Sequence, residues 1–123
     1  MTQLDTLRAW IRESKSMIFL GGAGVSTASG IPDFRSAHGL YRQEQAGLSY
    51  EEMLSHSYFV RHTAEFYEFY RSVMLYPDAK PNGAHYSLAR LEQQGKLQAV
   101  ITQNIDGLHQ LAGSKHVLEP HGS

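Results

Sequence analysis

A glycine-rich stretch near the start of the chain has the residue types of a phosphate-binding turn. Gly22 and Gly24 follow the short apolar run 16–20. Glycine lets the backbone approach a ligand closely, and amides at a strand-to-helix turn can bind a pyrophosphate. Gly22 and Gly24 match the dinucleotide-binding pattern G-x-G-x-x-G, whereas Thr27 stands in place of the third glycine. The motif is compatible with nucleotide binding and, alternatively, with a tight structural turn.

Three consecutive side chains in the next loop could act on a nucleotide. These residues are Asp33, Phe34 and Arg35, just after a proline. Phe34 could lie over a flat heterocycle, and Arg35 could neutralise a phosphate or hold Asp33 in place. The alternative is a capped loop with a core phenylalanine and a surface ion pair.

Polar side chains also follow a second apolar run, at 97–102. Gln103, Asn104 and Asp106 come directly after it. Ligands of parallel α/β proteins collect at the carboxyl ends of strands, where amides and a carboxylate could bind ribose hydroxyls, a carboxamide or water. The alternative is that Asn104 or Asp106 caps the next helix.

A histidine follows a third, short strand that is predicted over 117–119. The ordinary pKa of histidine, about 6.5, suits His121 to general base catalysis. The alternative is a solvent-exposed histidine in a tail. The remaining histidines show no grouping typical of a metal site, and among them His85 and His109 are expected to pack or to cap.

The elements that must position these residues alternate between helix and strand. Helices are predicted over 2–14 and 84–94, and a short helix over 106–112; residues 50–75 are aromatic-rich and compatible with helix. A fully buried parallel strand is predicted over 16–20, because this run does not alternate with polar residues. A second buried strand is predicted over 97–102. This order predicts an α/β fold with a parallel sheet. Residues 36–81 are expected to form a helical insertion without a strand.

Composition narrows the class of protein. The chain has 123 residues, no cysteine and a net charge of −1. It therefore fits a single domain, and neither a nucleic-acid-binding face nor a membrane span is expected. No targeting signal is recognised, which predicts a cytoplasmic location. The sequence stops soon after the third strand, so we expect a chain that has been cut.

Four motifs in order resemble the sirtuins, the NAD-dependent protein deacylases, in their bacterial type. The matching stretches are Gly22-Ala23-Gly24-Val25-Ser26, Gly30-Ile31-Pro32-Asp33-Phe34-Arg35, Thr102-Gln103-Asn104-Ile105-Asp106-Gly107-Leu108-His109 and His121-Gly122, with Lys80-Pro81-Asn82 and Ala84-His85 between them. The resemblance implies a Rossmann-like sheet whose C-terminal half is absent. Residues 1–123 would form one partial NAD-binding domain, with 36–81 as its helical insertion.

The resemblance also implies a reaction in which acyl-lysine and NAD give lysine, nicotinamide and O-acetyl-ADP-ribose. The implied partners are acetylated-lysine proteins or peptides. Two alternatives stay open: a non-catalytic module that binds NAD or ADP-ribose, and a protein ADP-ribosyltransferase. Activity of the 123-residue chain by itself is in question, because it has about half of what the family needs to fold and to bind substrates.

The resemblance carries roles to individual residues. His121 would be the base, and Asn104 would act in catalysis with Gln103 by ordering the ribose and a water. Ile105 and Asp106 would receive the nicotinamide carboxamide. The rest of the expected cofactor-binding set would hold the pyrophosphate or cover the NAD, and comprises Gly22, Ala23, Gly24, Thr27, Asp33, Phe34 and Arg35.

Two departures from the family pattern bear on substrate and metal. Members that prefer acidic acyl groups have Tyr-x-x-Arg, whereas this chain has Tyr67 and Tyr70 at the matching places. A buried acyl carboxylate would then lack a cation, so acetyl or other uncharged acyl groups are expected. The family also has a structural zinc held by two Cys-x-x-Cys pairs, and this chain contains no such ligands.

Overall fold

The structure is a computed structural model and describes residues 1–123. Its first helix, α1, spans Gln3–Glu13. Thr2 and Asp5 form a reciprocal cap: the Thr2 hydroxyl accepts from the Asp5 amide at 3.1 Å, and the Asp5 carboxylate accepts from the Thr2 amide at 3.0 Å. Such a capping box satisfies two amides that a helix start leaves free. The predicted helix is confirmed to within one residue at each end.

A three-stranded parallel sheet follows. Strands β1 (Met17–Gly21), β4 (Leu97–Thr102) and β5 (Val117–Leu118) lie in the order β1-β4-β5. The predicted α/β class with a parallel sheet is confirmed. Gly21 pairs with Thr102 at the carboxyl ends of β1 and β4, and the Gln103 amide donates to the Gly21 carbonyl at 3.0 Å. The segments that follow these two strands therefore begin side by side.

The prediction that β1 is buried on both faces is wrong. Phe19 points to the face covered by helices α5 (Gly83–Gln93) and α6 (Leu108–Leu111), where its ring centroid lies 6.1 Å from that of His109. Ile18 and Leu20 point the other way and are 66% and 68% exposed. Helices cover only one face of this sheet, so an unbroken apolar run does not lead to burial on both sides.

The region 36–81 contains a small hairpin, so the prediction that it has no strand is also wrong. Strands β2 (Glu44–Gln45) and β3 (Leu48–Ser49) pair antiparallel around Ala46 and Gly47, whose φ angles are 52° and 80°. A two-residue loop with two positive φ angles matches the twist of a hairpin. The only signal for this hairpin in the sequence was the Ala46-Gly47 pair. A pattern of apolar residues does not reveal a loop of two small residues.

The remainder of the insertion is helical, as predicted, but it is divided into short pieces. The helices are α2 (Tyr50–Met53), α3 (His56–Arg61) and α4 (Thr63–Phe69), and α4 runs on into one π-helical turn, Tyr70–Met74. Phe69 is 2% exposed and packs edge-on against Tyr50, with 4.9 Å between ring centroids. None of the helices is long and apolar enough to span a membrane.

Candidate functional site

One cavity of about 590 Å³ opens at the carboxyl ends of β1 and β4. Its volume lies within the range of about 300–1,000 Å³ that is typical of small-molecule sites. Four separate segments contribute residues from the predicted site to its lining: Ala23, Phe34, Arg35, Gln103, Asn104, Ile105, Asp106 and His121. The cavity therefore brings together side chains from all four motifs.

The glycine-rich turn forms one wall, as a 3-10 helix over Ala23–Ser29. A Cβ atom on Gly22 would lie 3.0 Å from Gln103 Oε1, so this glycine permits the close approach of the two segments. Gly24 is exposed, with no atom near the place its Cβ would take, and the Thr27 hydroxyl donates to the Gly24 carbonyl at 3.0 Å. Gly22 and the Thr27 hydroxyl thus shape the turn, Gly24 leaves its backbone open, and Ala23 lines the cavity.

The loop that carries Phe34 is closed on itself by backbone hydrogen bonds. The Leu40 amide donates to the Asp33 carbonyl at 2.7 Å, and the Tyr41 amide donates to the Phe34 carbonyl at 2.8 Å. A Cβ atom on Gly39 would lie 2.7 Å from the Phe34 carbonyl, which leaves no room for a side chain. Gly39, which sequence reasoning missed, therefore lets the loop hold Phe34 at the cavity.

The possible ion pair between Arg35 and Asp33 is not formed. The Asp33 carboxylate instead accepts from the amide and the hydroxyl of Ser36. The Arg35 guanidinium lies over the Tyr41 ring, 5.5 Å from its centroid. A local turn satisfies Asp33, so Arg35 lines the cavity with no carboxylate partner. Asp33 is not among the lining residues.

The polar wall of the cavity is formed by Ser26, Asn104 and Asp106, and Ser26 is hydrogen-bonded to both of the others. Ser26 is 1% exposed, and its hydroxyl donates to Asp106 Oδ2 at 2.6 Å. Ser26 Oγ also accepts a hydrogen bond from Asn104 Nδ2 at 3.2 Å. Asp106 Oδ1 accepts from the Leu108 amide at 3.0 Å, so Asp106 both caps the start of α6 and faces the cavity. Sequence reasoning gave Ser26 no role, since nothing in the linear pattern reveals these partners.

His85 completes this network from α5. The Asn82 amide donates to His85 Nδ1 at 3.0 Å, which fixes the neutral ring with its proton on Nε2. Nε2 lies 3.5 Å from Ser26 Oγ and donates to it. Burial holds the pKa of His85 below its ordinary value, and the Asp106 carboxylate opposes that shift. The expectation that His85 packs or caps agrees with this geometry.

Asn82 ties α5 to the glycine-rich turn. Its side-chain amide donates to the Val25 carbonyl at 2.8 Å and to the Ser29 hydroxyl at 3.0 Å. Its side-chain oxygen accepts from the Ala84 amide, which caps the helix. One side chain therefore caps α5 and anchors the cavity wall.

His121 and an apolar segment also line the cavity. His121 is exposed and stands just before Gly122, whose φ is 81° and whose amide closes a turn on the Glu119 carbonyl at 2.9 Å. Met74, Leu75, Tyr76 and Pro77 form a wall that sequence reasoning missed. Burial raises the pKa of the Tyr76 phenol, and Tyr50 adds to the rise.

Tyr67 and Tyr70 do not line this cavity. Tyr67 is 49% exposed, and the Tyr70 ring stacks on Phe66 with 5.8 Å between centroids. No group of three or more His, Asp or Glu side chains is arranged to hold a metal ion.

Comparisons with known proteins agree on one family. A model of the Sir2 family matches residues 22–123. An NAD-dependent protein deacetylase of Clostridium acetobutylicum is 59% identical over 125 residues, which cover 100% of this chain and 51% of that protein. The corresponding protein of Clostridium tetani is 59% identical over 124 residues, which cover 99% and 50%. The chain thus spans about half the length of the curated relatives it matches.

Solved structures show the same likeness. A Sir2 enzyme superposes with a TM-score of 0.86 at 45% identity, over 98% of this chain and 46% of its own. A variant of a Sir2 homologue in complex with ADP-ribose gives 0.84 at 39% identity, over 100% and 47%. A Sir2 variant with a deacetylated p53 peptide and 3'-O-acetyl-ADP-ribose gives 0.81 at 43% identity, over 96% and 46%.

Proposed function

The chain belongs to the Sir2 family, and on that basis we propose that it serves the NAD-dependent removal of acyl groups from protein lysines. The observation that carries the proposal is the cavity at the carboxyl ends of β1 and β4. Four motifs that are far apart in sequence contribute its lining, among them Arg35, Asp106 and His121. Relatives with about twice this length are NAD-dependent protein deacetylases.

The cavity has features that suit NAD. Arg35 offers a guanidinium without a carboxylate partner to a phosphate group. Phe34 offers an aromatic surface beside it, and the exposed backbone at Gly24 leaves space for a pyrophosphate. NAD, when bound, supplies a ribose carbon whose bond to nicotinamide can be broken.

The chain's own side chains would orient the ligand and move a proton. Asp106 and Ile105 would receive the nicotinamide carboxamide, while Gln103 and Asn104 would order the ribose and a water. His121 would accept a proton from a ribose hydroxyl, for which its exposed position at the cavity suits it. Phe34 would keep bulk water from the reacting face, which strengthens electrostatic interactions inside.

The proposed second substrate is an acetylated-lysine peptide or protein. The segment Met74–Pro77 gives the cavity an apolar wall, which favours an uncharged acyl chain. At the place where the family pattern for acidic acyl groups has an arginine, this chain has Tyr70. The proposed reaction is therefore deacetylation rather than desuccinylation. The proposed location is the cytoplasm.

The decisive experiment follows both products of the reaction. The protein at the full length of its relatives, about twice that of this chain, is incubated with NAD and an acetyl-lysine peptide, and nicotinamide and O-acetyl-ADP-ribose are measured by mass spectrometry. Both products are expected from that protein, and His121→Ala is expected to abolish them. His116→Ala is the matched control, since His116 is an exposed histidine five positions away that does not line the cavity.

Other outcomes would contradict the proposal in distinguishable ways. NAD binding, seen by calorimetry, without either product would mean a binding module. Nicotinamide release with ADP-ribose attached to protein would mean an ADP-ribosyltransferase. Turnover that persists in His121→Ala would remove this histidine from the proposed role.

A further inference from the structure

His109 is a buried imidazole that the proposed reaction does not use. Its side chain is 1% exposed, and neither ring nitrogen has a hydrogen-bond partner. A neutral imidazole leaves one N–H group unsatisfied here, whereas a protonated ring would leave two and would add a buried charge. The site therefore accepts the neutral ring far more readily than the cation.

The surroundings of His109 reinforce this preference. His85, from α5, lies edge-on to it, with 4.8 Å between ring centroids and planes 70° apart. Phe19, from β1, covers another side of the ring, and the one carboxylate that acts on it is Asp106. Burial lowers the pKa of His109, His85 lowers it further, and Asp106 opposes both effects.

Contacts continue from His109 to the wall of the cavity. His109 packs against His85, and the Nε2–H group of His85, its one N–H donor, donates to Ser26. Ser26 accepts from Asn104 and donates to Asp106. The position of the His85 ring therefore bears on two side chains that line the cavity.

We propose that His109 is a positioning residue for Asn104 and Asp106, and that it acts only as the neutral imidazole. The polar wall that these two residues form with Ser26 would then loosen in acid. A proton on His109 would create a cation, and the carboxylate that acts on this ring is Asp106. For Asp106 to pair with it, the carboxylate must give up the Ser26 hydroxyl. The choice of ligand in this inference rests on the proposed function. The effect of His109 on Asn104 and Asp106 does not depend on it.

A measurement without ligand tests the state of the wall. The imidazole nitrogens of His109 and the side-chain amide of Asn104 are followed by NMR as the pH is lowered from about 7.5, a range in which few groups other than histidine titrate. We expect the Asn104 amide to shift with the same midpoint as His109. In His109→Phe that shift should be lost, whereas the exposed control His116→Phe should keep it. An Asn104 amide that ignores the titration of His109 overturns the proposal.

Ligand binding gives the second test, with ADP-ribose and NAD as probes in calorimetry. Uptake of one proton should weaken binding by up to about tenfold per pH unit below the midpoint. His109→Ala should weaken binding at about pH 7.5, where His is neutral, because the His85 ring loses its neighbour. His109→Phe should recover most of that loss and show a flatter pH profile.

The outcomes separate the inference from the proposed function. If neither ADP-ribose nor NAD binds at neutral pH, the proposed function fails, and the ligand-free measurement alone decides the inference. If both bind but His109→Phe keeps the acid dependence of the native chain, the inference is wrong and the proposed function is unaffected.

Discussion

The hydroxyl of Ser26 lies 2.6 Å from Asp106 Oδ2, although 80 positions separate the two residues. This hydrogen bond joins the glycine-rich turn after β1 to the polar segment after β4. Ser26 also accepts from Asn104 and His85, so its oxygen has a full set of partners. A single buried hydroxyl thus holds two of the four motifs together.

Removal of that hydroxyl should cost stability. Ser26→Ala would take the Ser26 partner away from Asp106 Oδ2, Asn104 Nδ2 and His85 Nε2. We expect the free energy of unfolding to fall by about 1–3 kcal/mol. Urea denaturation gives the value. Ser87→Ala, at an exposed position of α5, is the matched control and should stay within about 0.5 kcal/mol of the native chain. Equal effects of the two substitutions would contradict the central role of Ser26.

Two glycines should respond in opposite ways to alanine. A Cβ atom on Gly39 would collide with the Phe34 backbone, so Gly39→Ala should destabilise the chain by about 1–3 kcal/mol. A Cβ atom on Gly24 meets nothing, so Gly24→Ala should leave stability unchanged or raise it by about 0.4–1 kcal/mol. Gly24→Ala should nevertheless weaken NAD binding, which calorimetry measures. Loss of stability in Gly24→Ala would show that this glycine is structural.

Stability should fall in mild acid because of the two buried histidines. Burial holds the pKa values of His85 and His109 below the ordinary value of 6.5. The unfolded chain therefore binds more protons than the folded chain as the pH drops below about 6.5, and the free energy of unfolding decreases there. Above that pH this contribution is complete and constant. Urea denaturation across this range should show a smaller decrease for His109→Phe, and the full decrease for the exposed His116→Phe.

Lys96 should stabilise the end of α1. Its ammonium group donates to the carbonyls of Ile11 and Arg12 at 3.0 and 2.8 Å, and a cation at a helix C-terminus also complements the helix dipole. Lys96→Met should therefore fray α1 and lower stability by about 1.5–3 kcal/mol. Trp10, the only tryptophan of the chain, lies in this helix and reports the change by fluorescence. Lys115→Met is the control, because the side chain of Lys115 is exposed and only its backbone amide makes a hydrogen bond. An equal loss of stability in Lys115→Met would contradict the special role of Lys96.

Acyl preference should follow charge. With Tyr70 where the pattern for acidic acyl groups has arginine, succinyl-lysine should react more slowly than acetyl-lysine, because its carboxylate would be desolvated without a cation. Rates with the two peptides, measured by nicotinamide release from the protein at the full length of its relatives, test this. Equal rates would contradict the expectation.

Local patterns were sufficient for most of the elements. The strand 97–102 is found at the predicted residues, and α1 and α5 begin and end within one residue of prediction. Apolar spacing and the capping residues Thr2 and Asn82 are local signals, and the backbone follows them. The exposure of Ile18 and Leu20 was not predictable, because a strand's sequence does not say how many of its faces are covered.

The candidate site divides in the same way. Motif spacing alone identified Phe34, Arg35, Gln103, Asn104, Asp106 and His121, all of which line one cavity. Sequence reasoning missed Ser26 and Gly39, and it left open an ion pair between Arg35 and Asp33 that does not form. Each of these depends on which atoms approach after the chain has folded.

The sequence by itself indicated the family, through the resemblance of four motifs in order. It also determined the α/β order of the elements and the residue types available for chemistry, because these follow from short-range spacing and composition. Only the tertiary structure decided that Ser26 joins Asp106 and that His109 lies buried without a partner. It also decided that Met74–Pro77 lines the cavity. Hydrogen bonds and packing between distant segments depend on distances of a few ångströms, and those distances exist only once β1 and β4 have paired.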